Sequence, residues 1–211
     1  MKINILCDNP RSWFWEKSTN FIKELESSNL VKVCKNENEL EEADISAFIS
    51  CNKLVSDKSL IKSKSNIVCH PSDLPKGRGF SPIAWEVLNG STELTFTLFE
   101  ANENVDDGKI YQKKTIKLIG TELSADLRDI QAEVTFQMIS DYILKYPNNT
   151  GEEQEGEPTF YERRNLNDSE LDINKSISEQ MNLLRIVDNE LYPAFFIFNG
   201  EKFVLKIEKE N

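Results

Sequence analysis

The chain has 211 residues, enough for one sizeable domain or for one domain with a small appendage. Acidic residues outnumber basic ones by 36 to 25, and the net charge of −11 disfavours binding to bulk nucleic acid, which requires a basic surface. No stretch approaches the roughly 18 apolar residues of a membrane span, and the start resembles a strand rather than a signal peptide. We therefore expect a cytoplasmic protein without membrane or nucleic-acid partners.

The first third of the chain alternates predicted strands and helices. Strands are predicted at residues 2–7, 30–34, 45–49 and 66–69, and helices at 12–27, 37–42 and 59–62. Alternation of this kind, with short loops, indicates parallel βαβ units in an open sheet. Because no G-x-G-x-x-G sequence follows the first strand, an ordinary dinucleotide site is not predicted.

The cysteines do not form a recognisable metal-binding pattern. Each lies in or at the end of a predicted strand, and the set is Cys7, Cys34, Cys51 and Cys69. No pair has the two-residue spacing of a zinc site, and the chain has a single histidine. We therefore predict buried, reduced thiols and no metal.

The later elements are a helix at 80–89, two neighbouring strands at 92–99 and 109–117, and a long amphipathic helix at 122–145 that packs against the core. Residues 147–158, rich in Asn, Gly and Glu, are predicted to form a linker or mobile loop. A helix ending near Val187 and a hairpin turning at Asn199-Gly200 follow. We therefore divide the chain into an α/β domain at 1–147 and a small helix-and-hairpin appendage at 148–211.

His70, the only histidine, ends a predicted strand and enters a loop that is stiffened by prolines and glycines. Such a loop can hold a side chain in a fixed position for chemistry. An acidic turn that contains Asp106 and Asp107 lies 36 residues further along the chain. Because an imidazole oriented by a carboxylate is a common general base, His70 is a candidate base and this turn offers two candidate carboxylates, Asp106 and its competitor Asp107.

These motifs resemble the folate-dependent formyltransferases, a family that includes methionyl-tRNA, glycinamide-ribotide and nucleotide-sugar N-formyltransferases. The matching stretches are His70-Pro71-Ser72-Asp73-Leu74-Pro75-Lys76-Gly77-Arg78-Gly79 and Asp106-Asp107-Gly108. The resemblance covers residues 1 to about 145 and implies a Rossmann-like domain with a mainly parallel sheet. It departs from the family at Val68, where the family has an asparagine. A charged His70, a backbone N–H or Ser72 would then stabilise the oxyanion.

The resemblance also implies an activity and a cofactor site. A formyl group would pass from N10-formyltetrahydrofolate to an amine, with His70 as general base and Asp106 orienting it. The loop at 51–56 resembles the segment that reads the pterin ring of the folate. The residues implied as folate contacts are Asn52, Leu54, Val55, Val105 and Asp106.

Residues 160–172 are similar to sugar-nucleotide formyltransferases. The stretch at 73–82 is most similar to those of pseudaminic acid biosynthesis, which act on a UDP-linked 4-amino-4,6-dideoxy-AltNAc. A diphosphate favours cations and uracil favours a flat partner. The predicted substrate contacts are accordingly basic, aromatic or glycine residues: Arg11, Trp13, Lys76, Arg78, Gly79, Tyr161, Arg163 and Arg164. The alternatives are a dTDP-linked acceptor, formyltetrahydrofolate hydrolysis, and a catalytically silent folate or sugar-nucleotide binding module; a homodimer is left open.

Overall fold

A computed structural model describes residues 1–210 of the protein. The strands are β1 (Lys2–Leu6), β2 (Leu30–Cys34), β3 (Ala43–Phe48), β4 (Ser63–His70), β5 (Arg78–Gly79), β6 (Glu93–Glu100), β7 (Ile110–Lys117), β8 (Phe160–Tyr161), β9 (Ala194–Phe198) and β10 (Glu201–Leu205). The α-helices are α1 (Trp13–Lys17), α2 (Thr19–Glu26), α3 (Asp57–Leu60), α4 (Pro82–Leu88), α5 (Ser124–Lys145) and α6 (Met181–Ile186). Short 3-10 helices occupy Glu37–Glu39, Leu166–Ser169 and Ser178–Gln180.

Six strands form the central sheet, in the order β2-β1-β3-β4-β6-β7. The first four strands run parallel, whereas β6 and β7 are antiparallel to their neighbours. The expectation of a mainly parallel, Rossmann-like sheet is therefore confirmed. Because parallel strands end at the same edge of a sheet, His70 at the end of β4 lies at an edge shared with the ends of β1 and β3.

The two faces of the sheet carry separate hydrophobic clusters. Side chains of a strand alternate between faces, so Ala47 joins the larger cluster with helices α1, α2 and α5, whereas Phe48 joins the smaller one. In the same way Cys69 packs on the larger cluster and Val68 on the smaller one. The two clusters therefore meet the carboxyl edge of the sheet from opposite sides.

The helix predicted at 12–27 is two helices, α1 and α2, which are separated at Ser18. Serine competes for backbone hydrogen bonds and is a weak helix former, which accounts for an interruption there. Phe14 of α1 and Phe21 of α2 are nevertheless both buried in the larger cluster, as the amphipathic pattern predicts.

The segment at 147–158 forms an irregular loop, as the prediction of a linker or mobile loop implies, but it is anchored to the sheet at one point. Its backbone pairs with the edge strand β7, since Ile110 N donates to Glu152 O at 2.7 Å and Glu152 N donates to Ile110 O at 2.9 Å. At Gly151 an added Cβ would lie 2.8 Å from Lys109 Cβ, so the chain approaches β7 closely. The side chain of Gln154 adds hydrogen bonds to Asp106 O and Gly108 O, so both backbone and side-chain contacts hold this loop.

After this segment the chain forms β8, which pairs with β5, and then the C-terminal elements. The predicted hairpin is present as β9 and β10, with Asn199 and Gly200 both at positive φ. The predicted last helix is shorter than expected, because α6 begins only at Met181. The division of the chain at residue 147 stays a prediction. Within residues 1–210, no helix has the length and apolar character needed to cross a bilayer.

Candidate active site

A cleft of about 480 Å³ opens at the carboxyl edge of the sheet, where β1, β3 and β4 end, and residues from the end of β6 and the loop after it also line it. One side, here called the β3-loop wall, consists of residues 48–55 with Val68 and Ala101, and it continues the smaller cluster. The opposite side, here called the helix wall, continues the larger cluster; it consists of Trp13, Ile83, Leu127, Arg128, Gln131 and Ile186. His70 and Asp106 line the same cleft.

His70 and Asp106 come together despite their separation in sequence. His70 is 7% exposed, and its Nδ1 lies 3.8 Å from Asp106 Oδ2. The other ring nitrogen, Nε2, lies 2.9 Å from the carbonyl oxygen of Gly77. Because a carbonyl oxygen only accepts, this contact assigns the hydrogen of the neutral ring to Nε2. Nδ1 is therefore the nitrogen that can exchange a proton, and it faces the Asp106 carboxylate.

The Asp106 turn has a strained backbone that neighbouring groups hold in place. Asp106 adopts a positive φ of 49°, and its Oδ2 accepts a hydrogen bond of 2.8 Å from Gly79 N. Gly108 is required two positions later, because an added Cβ would lie 1.7 Å from Glu100 O. Asp107 points away from His70 and pairs with Arg78 at 2.5 Å. Of the two neighbouring carboxylates, the structure brings Asp106 to the imidazole.

The residues predicted to contact folate all line the cleft. Asn52, Leu54 and Val55 lie on the β3-loop wall, and Val105 precedes Asp106. Leu54 is 56% exposed and Val105 is 38% exposed, so both offer apolar surface to a ligand. The loop itself is anchored, since Asn52 N donates to Asp8 Oδ1 at 2.6 Å. This combination of apolar side chains and a fixed backbone fits a flat heterocycle with polar edges.

Three of the predicted substrate contacts lie at the cleft or its mouth. Trp13 and Gly79 line it, and the buried Nε1 of Trp13 has no hydrogen-bond partner within residues 1–210. The Arg163 side chain contacts two residues that line the cleft. Its guanidinium is 4.3 Å from the centre of the Phe80 ring, and its Nη2 donates to Asn52 O at 3.3 Å.

The other five predicted substrate contacts are not among the residues that line the cleft within residues 1–210. They are Arg11, Lys76, Arg78, Tyr161 and Arg164. Arg78 is only 8% exposed, and its charge is matched by Asp107. Tyr161 donates to Glu86 Oε1 at 2.9 Å. The Arg164 guanidinium lies 5.7 Å from the ring centre of Trp85. These contacts fasten residues 160–164 to the loop and helix after β4, and a substrate role for the five residues stays a prediction.

Sequence reasoning missed the contribution of α5 and α6 to the cleft. Arg128 and Gln131 of α5 and Ile186 of α6 lie on the helix wall. The sequence pattern predicts only a core-packing helix here, which is correct for most of the length of α5. The available signal was a polar spacing of four and three residues, at 124, 128 and 131, beside the apolar stripe.

The thiols of Cys51 and Cys69 both line the cleft. Burial raises the pKa of Cys51 to about 12, and Asp8 adds to the effect. Burial likewise raises the pKa of Cys69 to about 12. Within residues 1–210, no group of three or more His, Cys, Asp or Glu side chains could hold a metal ion. The reactive group that the cleft offers is therefore the His70 imidazole.

Comparison with known proteins gives a family and a fold. Residues 16–143 match the family model described as Formyl transferase. The methionyl-tRNA formyltransferase of Malacoplasma penetrans (strain HF-2) is 26% identical over 182 residues, which are 82% of this chain and 56% of that protein. The chain thus spans little more than half the length of this curated relative.

Two solved structures share the fold over nearly the whole chain. Methionyl-tRNA formyltransferase from Clostridium thermocellum superposes with a TM-score of 0.83 at 24% identity, covering 100% of this chain and 94% of that one. The N-formyltransferase from Helicobacter canadensis, in complex with folinic acid and dTDP-3-aminofucose, gives a TM-score of 0.74 at 18% identity, covering 95% and 85% respectively.

Proposed function

The chain belongs to the formyl transferase family, and on that basis we propose that it transfers a formyl group from N10-formyltetrahydrofolate to the amine of a UDP-linked amino-dideoxy sugar. The sugar proposed is of the UDP-4-amino-4,6-dideoxy-AltNAc type, from pseudaminic acid biosynthesis. The observation that carries the proposal is the approach of His70 Nδ1 to 3.8 Å from Asp106 within the cleft.

The proposed role of His70 is to move the proton of the attacking amine. As the amine nitrogen bonds to the formyl carbon, Nδ1 takes the proton that the nitrogen must lose, and later returns one to the leaving nitrogen. The protonated ring lies between Gly77 O and the Asp106 carboxylate, so both N–H groups face an acceptor or a negative charge. A positioned base of this kind contributes roughly 10²- to 10⁴-fold in rate.

Folate is proposed to bind at the β3-loop wall, against Leu54, Val55 and Val105, with Asn52 at the edge of the site. When bound, the folate supplies an activated formyl group. Val68 adds apolar surface there and carries no hydrogen-bond donor. The Ser72 hydroxyl is buried away from the lining residues. The positive charge of protonated His70 is proposed to stabilise negative charge on the formyl oxygen.

A small acceptor is favoured by charge and by the residues of the helix wall. A protein with a net charge of −11 repels a large polyanion such as tRNA more than a single nucleotide. Trp13 and Arg163 are retained as proposed contacts to the sugar nucleotide. The Helicobacter canadensis structure contains a dTDP-linked amino sugar, which supports a nucleotide-sugar acceptor and keeps dTDP as the alternative nucleotide.

Methionyl-tRNA is the second candidate acceptor, because the Malacoplasma penetrans and Clostridium thermocellum proteins named above are methionyl-tRNA formyltransferases. The test incubates the purified chain with N10-formyltetrahydrofolate and a panel of UDP- and dTDP-linked amino sugars, methionyl-tRNA and no acceptor. We expect formylation of a UDP-linked sugar. Formylation of tRNA alone, or release of formate without an acceptor, would overturn the sugar proposal.

The His70→Asn variant tests the catalytic assignment in the same assay. Asparagine keeps a polar side chain but cannot exchange a proton near neutral pH, so we expect no measurable transfer. Binding of folate, measured by fluorescence titration, should stay within about threefold of wild type because His70 is not part of the β3-loop wall. An active His70→Asn variant would remove the case for this base. Folate binding without transfer by the wild type would indicate the silent module instead.

A further inference from the structure

Two cations line the cleft within residues 1–210, and they lie on different walls. Lys53 is on the β3-loop wall, which is proposed to hold folate. Arg128 is on the helix wall, in the second turn of α5. The folate and the sugar nucleotide of the proposed transfer are both anionic. Each can therefore be attracted by one of these two cations.

The Arg128 guanidinium is held at one end and open at the other. Its Nη2 donates to Asp188 Oδ2, and the remaining guanidinium hydrogens have no acceptor within residues 1–210. The side chain is 43% exposed, whereas that of Asp188 is only 12% exposed. A guanidinium has five N–H donors, so a pair with one carboxylate leaves enough for a bidentate contact to a phosphate.

Asp188 is itself fixed, which orients Arg128. Its Oδ1 accepts hydrogen bonds of 2.9 Å from both Glu190 N and Leu191 N. Burial opposes the charged form of Asp188, but these two hydrogen bonds and Arg128 hold its pKa below the usual value. Asp188 therefore stays ionised at neutral pH and keeps Arg128 positioned before a ligand arrives.

Neighbouring side chains suit an anionic group beside Arg128. Gln131 and Ser124 lie three and four residues away on the same helix and line the cleft, where they can donate to phosphate oxygens. The apolar side chains of Leu127 and Ile186 adjoin them and reduce the access of water, which strengthens a charge–charge contact.

We propose that Arg128, supported by Gln131 and Ser124, is the subsite for the diphosphate of the acceptor nucleotide. This inference rests on the proposed function, because folate occupies the β3-loop wall and leaves the helix wall to the acceptor. Lys53 then faces the carboxylates of the folate glutamate. Asp188 is a positioning residue that orients the guanidinium and does not contact the acceptor.

The experiment breaks the Arg128–Asp188 ion pair from each side in turn. Arg128→Gln removes the guanidinium, and we expect it to raise the KM for the UDP-amino sugar and the Kd for UDP about 10- to 100-fold, as for loss of hydrogen bonds to a charged group. The KM for N10-formyltetrahydrofolate should not change. Asp188→Asn keeps the guanidinium and the acceptor for Glu190 and Leu191 but weakens the contact that orients Arg128, so the Kd for UDP should rise, and by less than in Arg128→Gln.

A merely structural ion pair predicts a different pattern. Both variants would then lower the melting temperature and raise both KM values alike, and that result would overturn the subsite. Lys53→Gln is the matched control, for which we expect a higher KM for folate alone. Arg128→Lys keeps a charge if Arg128→Gln fails to fold, and its UDP affinity should fall between those of wild type and Arg128→Gln.

Failure of the subsite is separable from failure of the proposed function. If the wild type formylates a nucleotide-linked sugar while Arg128→Gln and Asp188→Asn behave alike, only the subsite is wrong. If the wild type formylates no such sugar, the proposed function fails, and calorimetric titration with UDP still decides the subsite. Absence of UDP binding to the wild type would refute both.

Discussion

Gln154 holds the main chain of Asp106, although the two residues are far apart in sequence. The side-chain Nε2 of Gln154 donates to Asp106 O and to Gly108 O, at 2.9 Å in each case. Its Oε1 accepts from Arg78 Nη2, which also contacts Asp107. The side-chain amide of Gln154 therefore connects the strained Asp106 turn to β5, the strand whose Gly79 N–H donates to the Asp106 carboxylate.

Removal of this amide should reduce turnover more than binding. In Gln154→Leu the carbonyl groups of Asp106 and Gly108 lose their donor, so the Asp106 carboxylate is no longer fixed beside His70. Because a displacement of about 1 Å can lower a rate 10²-fold, we expect kcat to fall about 10- to 100-fold. The KM for folate should change less than about threefold. Steady-state kinetics measure both quantities.

Gln137→Leu is the control for this variant. Gln137 lies on α5 and accepts from Lys114 at the surface, away from the turn, so kcat should stay at the wild-type level. Gln154→Leu with wild-type kcat and only a lower melting temperature would show that the amide supports stability and not the position of Asp106.

Gly108→Ala should be more damaging than Gln154→Leu. The added Cβ would lie 1.7 Å from Glu100 O, so the turn or strand β6 must move, and Asp106 moves with it. We expect kcat to fall by at least about 100-fold in protein that still folds by circular dichroism. Gly200→Ala, in the distant hairpin turn where no atom lies within 4 Å of an added Cβ, should affect stability without changing kcat. Equal kcat values for the two alanine variants would contradict the role given to the turn.

Local patterns in the sequence were sufficient for the sheet, its main helices and the hairpin at Asn199-Gly200, because hydrophobic period and turn chemistry are properties of short stretches. These local patterns could not show whether the Arg78 side chain contacts a ligand or is buried in the protein. A cation in a catalytic loop looks the same whether it faces a ligand or the interior, and its partners Asp107 and Gln154 come from distant segments. The sequence also did not reveal that Arg128 lines the cleft. Its helix packs mainly against the core, and whether the Arg128 side chain stays exposed depends on where α6 docks.

The thiol of Cys51 should react slowly even though it lines the cleft. Burial raises its pKa to about 12, so at pH 8 its thiolate fraction is roughly a thousandfold lower than that of an ordinary cysteine. We expect iodoacetamide labelling of Cys51, followed by mass spectrometry, to become appreciable only in strongly alkaline buffer. Protein unfolded in urea is the control and should label readily at pH 8. Native labelling at pH 8 as fast as in urea would contradict the protonated, buried thiol.

The buried pair of Glu122 and Arg185 should make stability sensitive to acid. Arg185 of α6 contacts Glu122 at 2.9 Å, with the two side chains 5% and 8% exposed. Burial by itself would raise the pKa of Glu122, but hydrogen bonds from the Ile119 and Gly120 N–H groups and the charge of Arg185 lower it. A depressed pKa in the folded state means that this contribution is complete above the unfolded pKa and is lost as pH falls through the folded one.

Glu122→Gln should therefore destabilise the protein at pH 7 and weaken its acid dependence. The variant leaves Arg185 buried without a charged partner, which typically lowers the free energy of unfolding by about 3–5 kcal/mol. Urea titrations at pH 7 and at pH 4 measure the difference, which should shrink at the lower pH because Glu122 of the unfolded wild type then binds a proton that the folded state, with its lowered pKa, binds less readily. Glu190→Gln, which breaks the exposed pair with Lys206, is the control and should have little effect. A difference between Glu122→Gln and wild type that stays constant down to pH 3 would show that the charge of Glu122 is not what holds α6 in place.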